Sequence, residues 1–196
     1  FNEMLERIRD IRLSERRLYL QITDIFALAS DYDKNSAITK DFFAFIQNKL
    51  HYAIAGETAA EIIFNRANAE KENMGLTHWA HSPNGKIYKT DISIAKNYLN
   101  EDELHKLRLT VTAFLDLAQL RAERHLPTTM QDWIGFMSSY LDLNGYPVLE
   151  GLGKISKQQA DDKATEEYGK FRTIQDKNFE SDYEKMIKHI DNKHYK

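Results

Sequence analysis

Apolar side chains recur at helical spacing along most of this chain, and this feature limits its fold most strongly. Near the start of the chain the apolar residues are spaced alternately by four and three positions, and only Glu15 interrupts the series. Its members are Met4, Ile8, Ile11, Leu18, Ile22, Ile25 and Ala29. Such spacing is typical of a coiled-coil seam or of a helix stripe that faces a core. The 196 residues include only 8 Gly and 3 Pro, and so few helix breakers favour long helices.

Capping signals mark where the next helices begin and end. A second helix is expected to start between Ser36 and Thr39 and to stop at Gly56, since glycine is the residue best suited to a left-handed helix cap. Thr58 followed by Glu61 has the spacing of a capping box, in which each residue bonds the backbone of the other. A third helix should therefore begin directly after the Gly56 turn.

The second half of the chain carries similar signals. Asn100 precedes an acidic first turn and should begin a long helix that stops before Pro127. Thr128 with Gln131 matches a second capping box, and Ser156 is the expected cap of the last helix. The sequence thus predicts an all-α bundle of about six to seven helices, with a long first helix and a long last helix.

One segment of the chain loses the helical period. From Asn68 to Thr90 it disappears, and Ser82-Pro83-Asn84-Gly85 has the composition of a tight turn. This allows one small β-hairpin within residues 77–88. Further on, Gly151-Leu152-Gly153 reads as a flexible joint. We therefore divide the chain into a helical core, residues 1–150, and a C-terminal helical extension, residues 151–196.

Charge and cysteine content exclude several classes of function. Lys and Arg number 27 against 30 Asp and Glu, so no overall positive field draws the chain to nucleic acid. The chain has no cysteine, and no apolar run is long enough to cross a bilayer. Both facts suit a cytoplasmic protein with no membrane contact. On the first helix, Arg7, Arg9, Arg12 and Arg16 form either a solvated face that pairs with neighbouring acidic residues or a stripe that binds phosphate or a partner weakly.

Polar and apolar residues alternate between Gln47 and Trp79 in a way that no single helix face requires. A base, an acid and two cations could converge across the Gly56 turn, and the candidate catalytic residues are Lys49, His51, Glu61 and Arg66. Such a set suits phosphoryl chemistry. The alternative is that they cap and pair structurally. Candidate binding residues for the same cleft are Gln47, Asn48, Asp31, Asp33, Lys96 and Asn97.

Metal or cofactor chemistry finds little support in the sequence. His78 and His81 are close, but they lie in the predicted hairpin and no third ligand has a diagnostic spacing. No glycine-rich phosphate loop and no glycine-flanked serine elbow is present. We therefore predict no metal and no cofactor.

Many short motifs resemble one known family, the virulence protein RhuM family. They occur in order along the chain, at residues 1–12, Ser30-Asp31-Tyr32-Asp33, Gln47-Asn48-Lys49, Thr58-Ala59-Ala60-Glu61, Arg66-Ala67, Met74-Gly75-Leu76-Thr77, Ala95-Lys96-Asn97-Tyr98-Leu99, Phe114-Leu115-Asp116, Asp132-Trp133 and Glu167-Tyr168. The resemblance implies a bacterial protein associated with pathogenicity islands and other mobile elements. It also implies a DNA-binding-like portion upstream of Phe1, through which nucleic acid would be bound.

Two hypotheses of function follow. The first is a helical effector and oligomerisation module of a RhuM-like protein. It would form a homo-oligomer through the seam from Met4 to Ala29 and could also bind a different protein. The second is a toxin-type enzyme that acts on a nucleotide or nucleic acid through the cluster Lys49, His51, Glu61 and Arg66.

Overall fold

The protein is all-α in the residues that its structure, a computed structural model, describes, namely 1–13, 24–35 and 37–178. The helices are α1 (Asn2–Leu13), α2 (Ala37–Ala55), α3 (Ala59–Arg66), α4 (Glu101–Glu123), α5 (Met130–Leu143) and α6 (Lys157–Asn178). Residues 24–26 are helical too, and Ala95–Tyr98 form a single 3-10 turn. The predicted helical class is therefore confirmed. The prediction of one long N-terminal helix falls in part on residues 14–23, which lie outside the described residues.

The chain folds as two compact units that interleave along the sequence. The first contains residues 1–62 and 99–156, and the second contains residues 63–98 and 157–196. The division at residue 150 into core and extension stays a prediction, and the nonhelical segment groups with the last helix by its contacts. Two hydrogen bonds explain the grouping: Glu167 accepts from the Ala69 N–H at 2.8 Å, and Gln175 accepts from the Ile87 N–H at 2.8 Å.

An aromatic cluster forms the centre of the first unit. Trp133 of α5 is fully buried, with its ring centroid 5.9 Å from Phe26 and 6.4 Å from Phe114 of α4. Such tilted and edge-on contacts are the preferred aromatic geometry. Four residues of the predicted seam have described side chains: Ile8, Ile25 and Ala29 are buried, and Met4 is half-buried. These described members of the seam thus contribute to the core of the first unit.

Capping geometry sets several helix boundaries where the sequence predicted them. Gly56 has a φ of +72° after α2, and Asn100 caps α4 in a full capping box with Glu103. The cap of α5 lies one residue later than predicted. Thr129 and Asp132 form the box rather than Thr128 and Gln131, because the shorter Asp132 carboxylate also reaches back to the cap N–H at 2.8 Å.

The allowed hairpin at 77–88 does not form, and these residues contain no strand. The backbone donors that a hairpin would pair are bonded to side chains instead. Asp91 accepts from the Ala80 N–H at 3.0 Å and from the Tyr88 N–H at 2.8 Å. The next helical turn begins only at Ala95. One buried carboxylate therefore organises this loop.

Candidate functional site

Glu61 has its carboxylate fully engaged by the backbone of the first unit. One oxygen accepts from the Thr58 N–H at 2.8 Å, and the other accepts from the Lys154 N–H at 2.7 Å. The Glu61 N–H in turn donates to the Thr58 hydroxyl at 3.3 Å, which completes the predicted capping box. Although partial burial opposes the shift, these backbone donors lower the pKa of Glu61. A carboxylate held in this way is a structural anion rather than a free base.

His51 and Lys49 lie on α2 and are both buried. The His51 Nδ1 lies 2.8 Å from the Gln47 carbonyl, and because a carbonyl only accepts, Nδ1 carries the proton in this contact. The Lys49 ammonium lies 3.4 Å from the Ser138 hydroxyl and 4.9 Å from the centre of the Phe45 ring. No carboxylate among the described residues forms an ion pair with Lys49. Its charge is balanced by a hydroxyl and a ring face alone.

Arg66 is the fourth predicted catalytic residue, and it belongs to the second unit. Its guanidinium donates to the Tyr98 carbonyl at 3.1 Å. Arg66 follows Glu61 by five positions on α3, which separates the two side chains by about 140° around the helix axis. These contacts join Glu61, His51, Lys49 and Arg66 to four different sets of neighbours, namely Thr58 and Lys154, Gln47, Ser138, and Tyr98.

Most of the predicted binding residues also have local structural roles. Asp31 accepts from the first N–H of α5, that of Met130, at 2.8 Å, and Asp33 accepts from the Asn35 N–H at 2.9 Å. Asn48 accepts from the first N–H of α3, that of Ala59, at 3.3 Å. These three side chains therefore cap helices or close a turn.

The remaining binding candidates divide between surface and interior. Gln47 is exposed and Lys96 is half-buried, whereas Asn97 is buried in the second unit. The Asn97 side chain donates to the Asp91 carbonyl at 2.9 Å, and its own carbonyl accepts from the Thr77 N–H at 2.7 Å. Asn97 therefore holds the loop that replaces the hairpin.

A groove of about 250 Å³ opens in the second unit, and the sequence did not predict it. It is lined by Asn73, Trp79, Pro83, Asn84, Gly85, Ile87, Phe171, Ile174, Gln175 and Asn178. Among the described residues the lining is apolar or carboxamide, with no charged side chain. Its α6 members follow the spacing i, i+3, i+4 and i+7, a helical signal that was readable from the sequence. No pattern in the sequence predicted that Asn73 lines the groove.

The side of the groove that contains Asn73 is a left-handed turn. Asn73, Met74 and Gly75 have φ values of 51°, 58° and 84°, and non-glycine residues adopt such angles rarely. Met74 is fully buried, and a Cβ on Gly75 would lie 2.3 Å from the Arg66 carbonyl oxygen. Strain of this kind often occurs beside binding sites. The turn explains the Met74-Gly75-Leu76 motif and places Asn73 at the groove.

The structure describes the two histidines that were considered as metal ligands, but not the side chains of the arginines on the first helix. The side chains of Arg7, Arg9 and Arg12, and all of Arg16, lie outside the described residues. His81 contacts Tyr88 edge-on at 5.5 Å, and His78 lies 2.9 Å from the Thr77 hydroxyl. In the part of the chain that the structure describes, no three His, Asp or Glu residues are grouped as metal ligands, and no helix could span a membrane.

Comparison with known proteins gives one decisive result. The family model described as the virulence protein RhuM family matches residues 1–180. The chain belongs to the virulence protein RhuM family. The match covers the first unit and most of the second unit of this RhuM-family chain, and the resemblance of the short motifs is confirmed. Neither the curated proteins nor the solved structures contain a significant match.

Proposed function

We propose that this RhuM-family chain is a helical interaction module that self-associates and binds a protein partner within a virulence-associated bacterial protein. The observation that carries the proposal is a set of large apolar side chains left in solvent by the first unit. Leu109 and Leu120 lie about three turns apart on one side of α4 and are 54% and 51% exposed. Exposed apolar residues grouped on one surface are typical of protein interfaces.

The groove of the second unit supports the protein-partner part of the proposal. Its volume of about 250 Å³ is below the roughly 300–1,000 Å³ of pockets that enclose small-molecule ligands. Carboxamides and apolar side chains suit the backbone and one apolar side chain of a polypeptide, and charged side chains are depleted at interface centres. Gln175 already binds backbone in this manner, since its side chain pairs with both the N–H and the carbonyl of Ile87.

The experiment that tests self-association is light scattering on the purified chain across a range of micromolar concentrations. We expect the mean mass to rise with concentration toward twice that of one chain. A constant mass equal to one chain at tens of micromolar would overturn the proposal. A chelator and a reducing agent in the buffer exclude association through metal ions or oxidation.

A second candidate function is an enzyme that acts on phosphate-containing substrates, and one observation favours it. Lys49 is 7% exposed, and within the described parts of the chain its ammonium has the Ser138 hydroxyl as its one hydrogen-bond partner. A buried ammonium without a carboxylate is unfavourable, and a bound anion would compensate its charge.

Thermal unfolding in inorganic phosphate and in chloride, at matched ionic strength, tests this candidate. An anion site at Lys49 predicts that phosphate raises the melting temperature of the wild type more than chloride does. The Lys49→Met variant should lose that difference, because its side chain keeps the length but not the charge. Lys170→Met on exposed α6 is the control and should keep it. An equal response of wild type and Lys49→Met would exclude the site.

A further inference from the structure

The solvent-facing side of α4 has the residue pattern of a helix seam. Leu109, Ala113, Asp116 and Leu120 are separated by four, three and four residues, and the series continues to Lys106 on one side and Glu123 on the other. Four of these positions are exposed and two are half-buried. On an α-helix, this spacing keeps all of them within one narrow stripe. The opposite side of α4 supplies the core, with Leu107, Val111 and Phe114 buried.

We infer that this stripe binds the same stripe of a second copy of the chain in antiparallel orientation, an inference that rests on the proposed self-association. Antiparallel pairing centred between Phe114 and Leu115 would place Leu109 opposite the partner's Leu120. It would also place Ala113 opposite the partner's Asp116 and Lys106 opposite the partner's Glu123. Each leucine layer is then flanked by an oppositely charged pair.

Charge decides the direction of the pairing. In a parallel pair each residue faces its own copy, so that Lys106, Asp116 and Glu123 would each meet a like charge. Like charges held opposite one another are destabilising. The antiparallel register removes all three repulsions and replaces two of them with attraction. Asp116 then faces the small side chain of the partner's Ala113 instead of a second carboxylate.

Lys106 is already positioned for this role. Its ammonium contacts the Asp102 carboxylate at 2.6 Å, one turn earlier on the same stripe, and the lysine side chain stays 40% exposed. The partner's Glu123 can therefore share the same ammonium without loss of the existing ion pair. A lysine between two carboxylates is a common arrangement at helix pairs, where such charges select partner and direction.

A charge exchange between positions 106 and 123 tests the inference, with dimerisation measured by sedimentation equilibrium. Lys106→Glu alone and Glu123→Lys alone each create a like-charge pair, and each should weaken dimerisation by at least about tenfold. The double variant exchanges the two charges and restores attraction, so it should dimerise within about threefold of wild type. Circular dichroism confirms that each variant is folded.

The possible outcomes separate the inference from the proposed function. Weakening in both single variants with rescue in the double variant supports the antiparallel seam. A dimer that all three variants leave unchanged overturns the seam but leaves self-association standing. The same holds for a double variant that is no better than the single variants. A wild type that stays monomeric overturns both. Leu143→Glu, an exposed leucine outside the stripe, is the control and should dimerise like the wild type.

Discussion

The backbone N–H of Lys154 donates to the Glu61 carboxylate at 2.7 Å across 93 residues of sequence. A residue predicted as a catalytic acid or base thus ties the segment after α5 to the start of α3. Thr58, which completes this arrangement, is almost fully buried. The joint between α2 and α3 is therefore a fixed point of the first unit, and its side chains have a sufficient structural role without catalysis.

Replacement of Glu61 by alanine should destabilise the protein by about 1–3 kcal/mol, because two backbone N–H groups lose a charged acceptor. Chemical denaturation measures the change in the free energy of unfolding. Gln47→Ala, on the exposed side of α2, should change it by less than about 0.5 kcal/mol. Equal stability of Glu61→Ala and wild type would show that the carboxylate does not hold the joint.

Two glycines in the 151–153 joint provide a matched pair. Gly151 and Gly153 both have positive φ, at 87° and 85°, but only at Gly153 would an added Cβ meet another group, the Thr58 side chain at 2.7 Å. Gly151→Ala should cost about 1–2 kcal/mol through backbone strain alone. Gly153→Ala should cost at least about 1 kcal/mol more, because Thr58 must also move. Similar losses in the two variants, measured by denaturation, would contradict the close approach.

Glu167 should make the stability of the protein depend on acid. The Ala69 N–H, followed by Lys163 and Lys170, lowers its pKa from 4.5 to about 2 despite the opposing effect of burial. Because the folded pKa is depressed, the stabilisation is complete above about pH 4.5 and is lost as the pH falls toward about 2.

The Glu167→Gln variant removes this effect. The wild type should exceed it in unfolding free energy near neutral pH, and the difference should shrink as the pH falls through that window. Glu166→Gln, whose carboxylate is exposed beside the same Lys170, should cost less, since exposed ion pairs contribute little. A difference between wild type and Glu167→Gln that is constant with pH would rule out the assigned role.

The left-handed turn beside the groove predicts opposite responses at two neighbouring residues. Asn73→Gly should preserve or raise stability by up to about 1 kcal/mol, because glycine adopts positive φ without steric cost. Gly75→Ala should destabilise by more than about 2 kcal/mol, since its Cβ would overlap the Arg66 carbonyl. Thermal unfolding of both variants measures the effect. A destabilised Asn73→Gly would mean that the Asn73 side chain, not its backbone angle, holds the turn.

Local signals in the sequence predicted the local structure of the chain. The Thr58-Glu61 box, the Gly56 cap and the Asn100 cap depend on residues a few positions apart, and each formed as expected. The box at α5 was displaced by one position, because Thr128 and Thr129 are both capable caps and only the fold selects between them. In the structure Thr128 instead accepts a hydrogen bond from Arg121 at 2.6 Å.

Long-range partners were beyond the sequence. The turn at residues 82–85 suggested a hairpin, but the Asp91 and Gln175 side chains take the backbone donors of the arms. Glu61 looked like a catalytic group because nothing local predicts that Lys154 returns to it. The groove was missed for the same reason, since its floor and walls come from distant segments and from a left-handed Asn73 that no propensity indicates.

Antiparallel pairing of α4 is tested most directly by a distance between spin labels. The chain has no cysteine, so Glu101→Cys provides a single attachment point at the start of α4. In the antiparallel dimer the two labels lie at opposite ends of the helix pair, and pulsed dipolar spectroscopy should give a distance of about 40 Å at a rise of about 1.5 Å per residue. A distance near 10–15 Å, about one interhelical spacing plus the labels, or no dipolar coupling at concentrations where the chain is dimeric, would contradict the pairing.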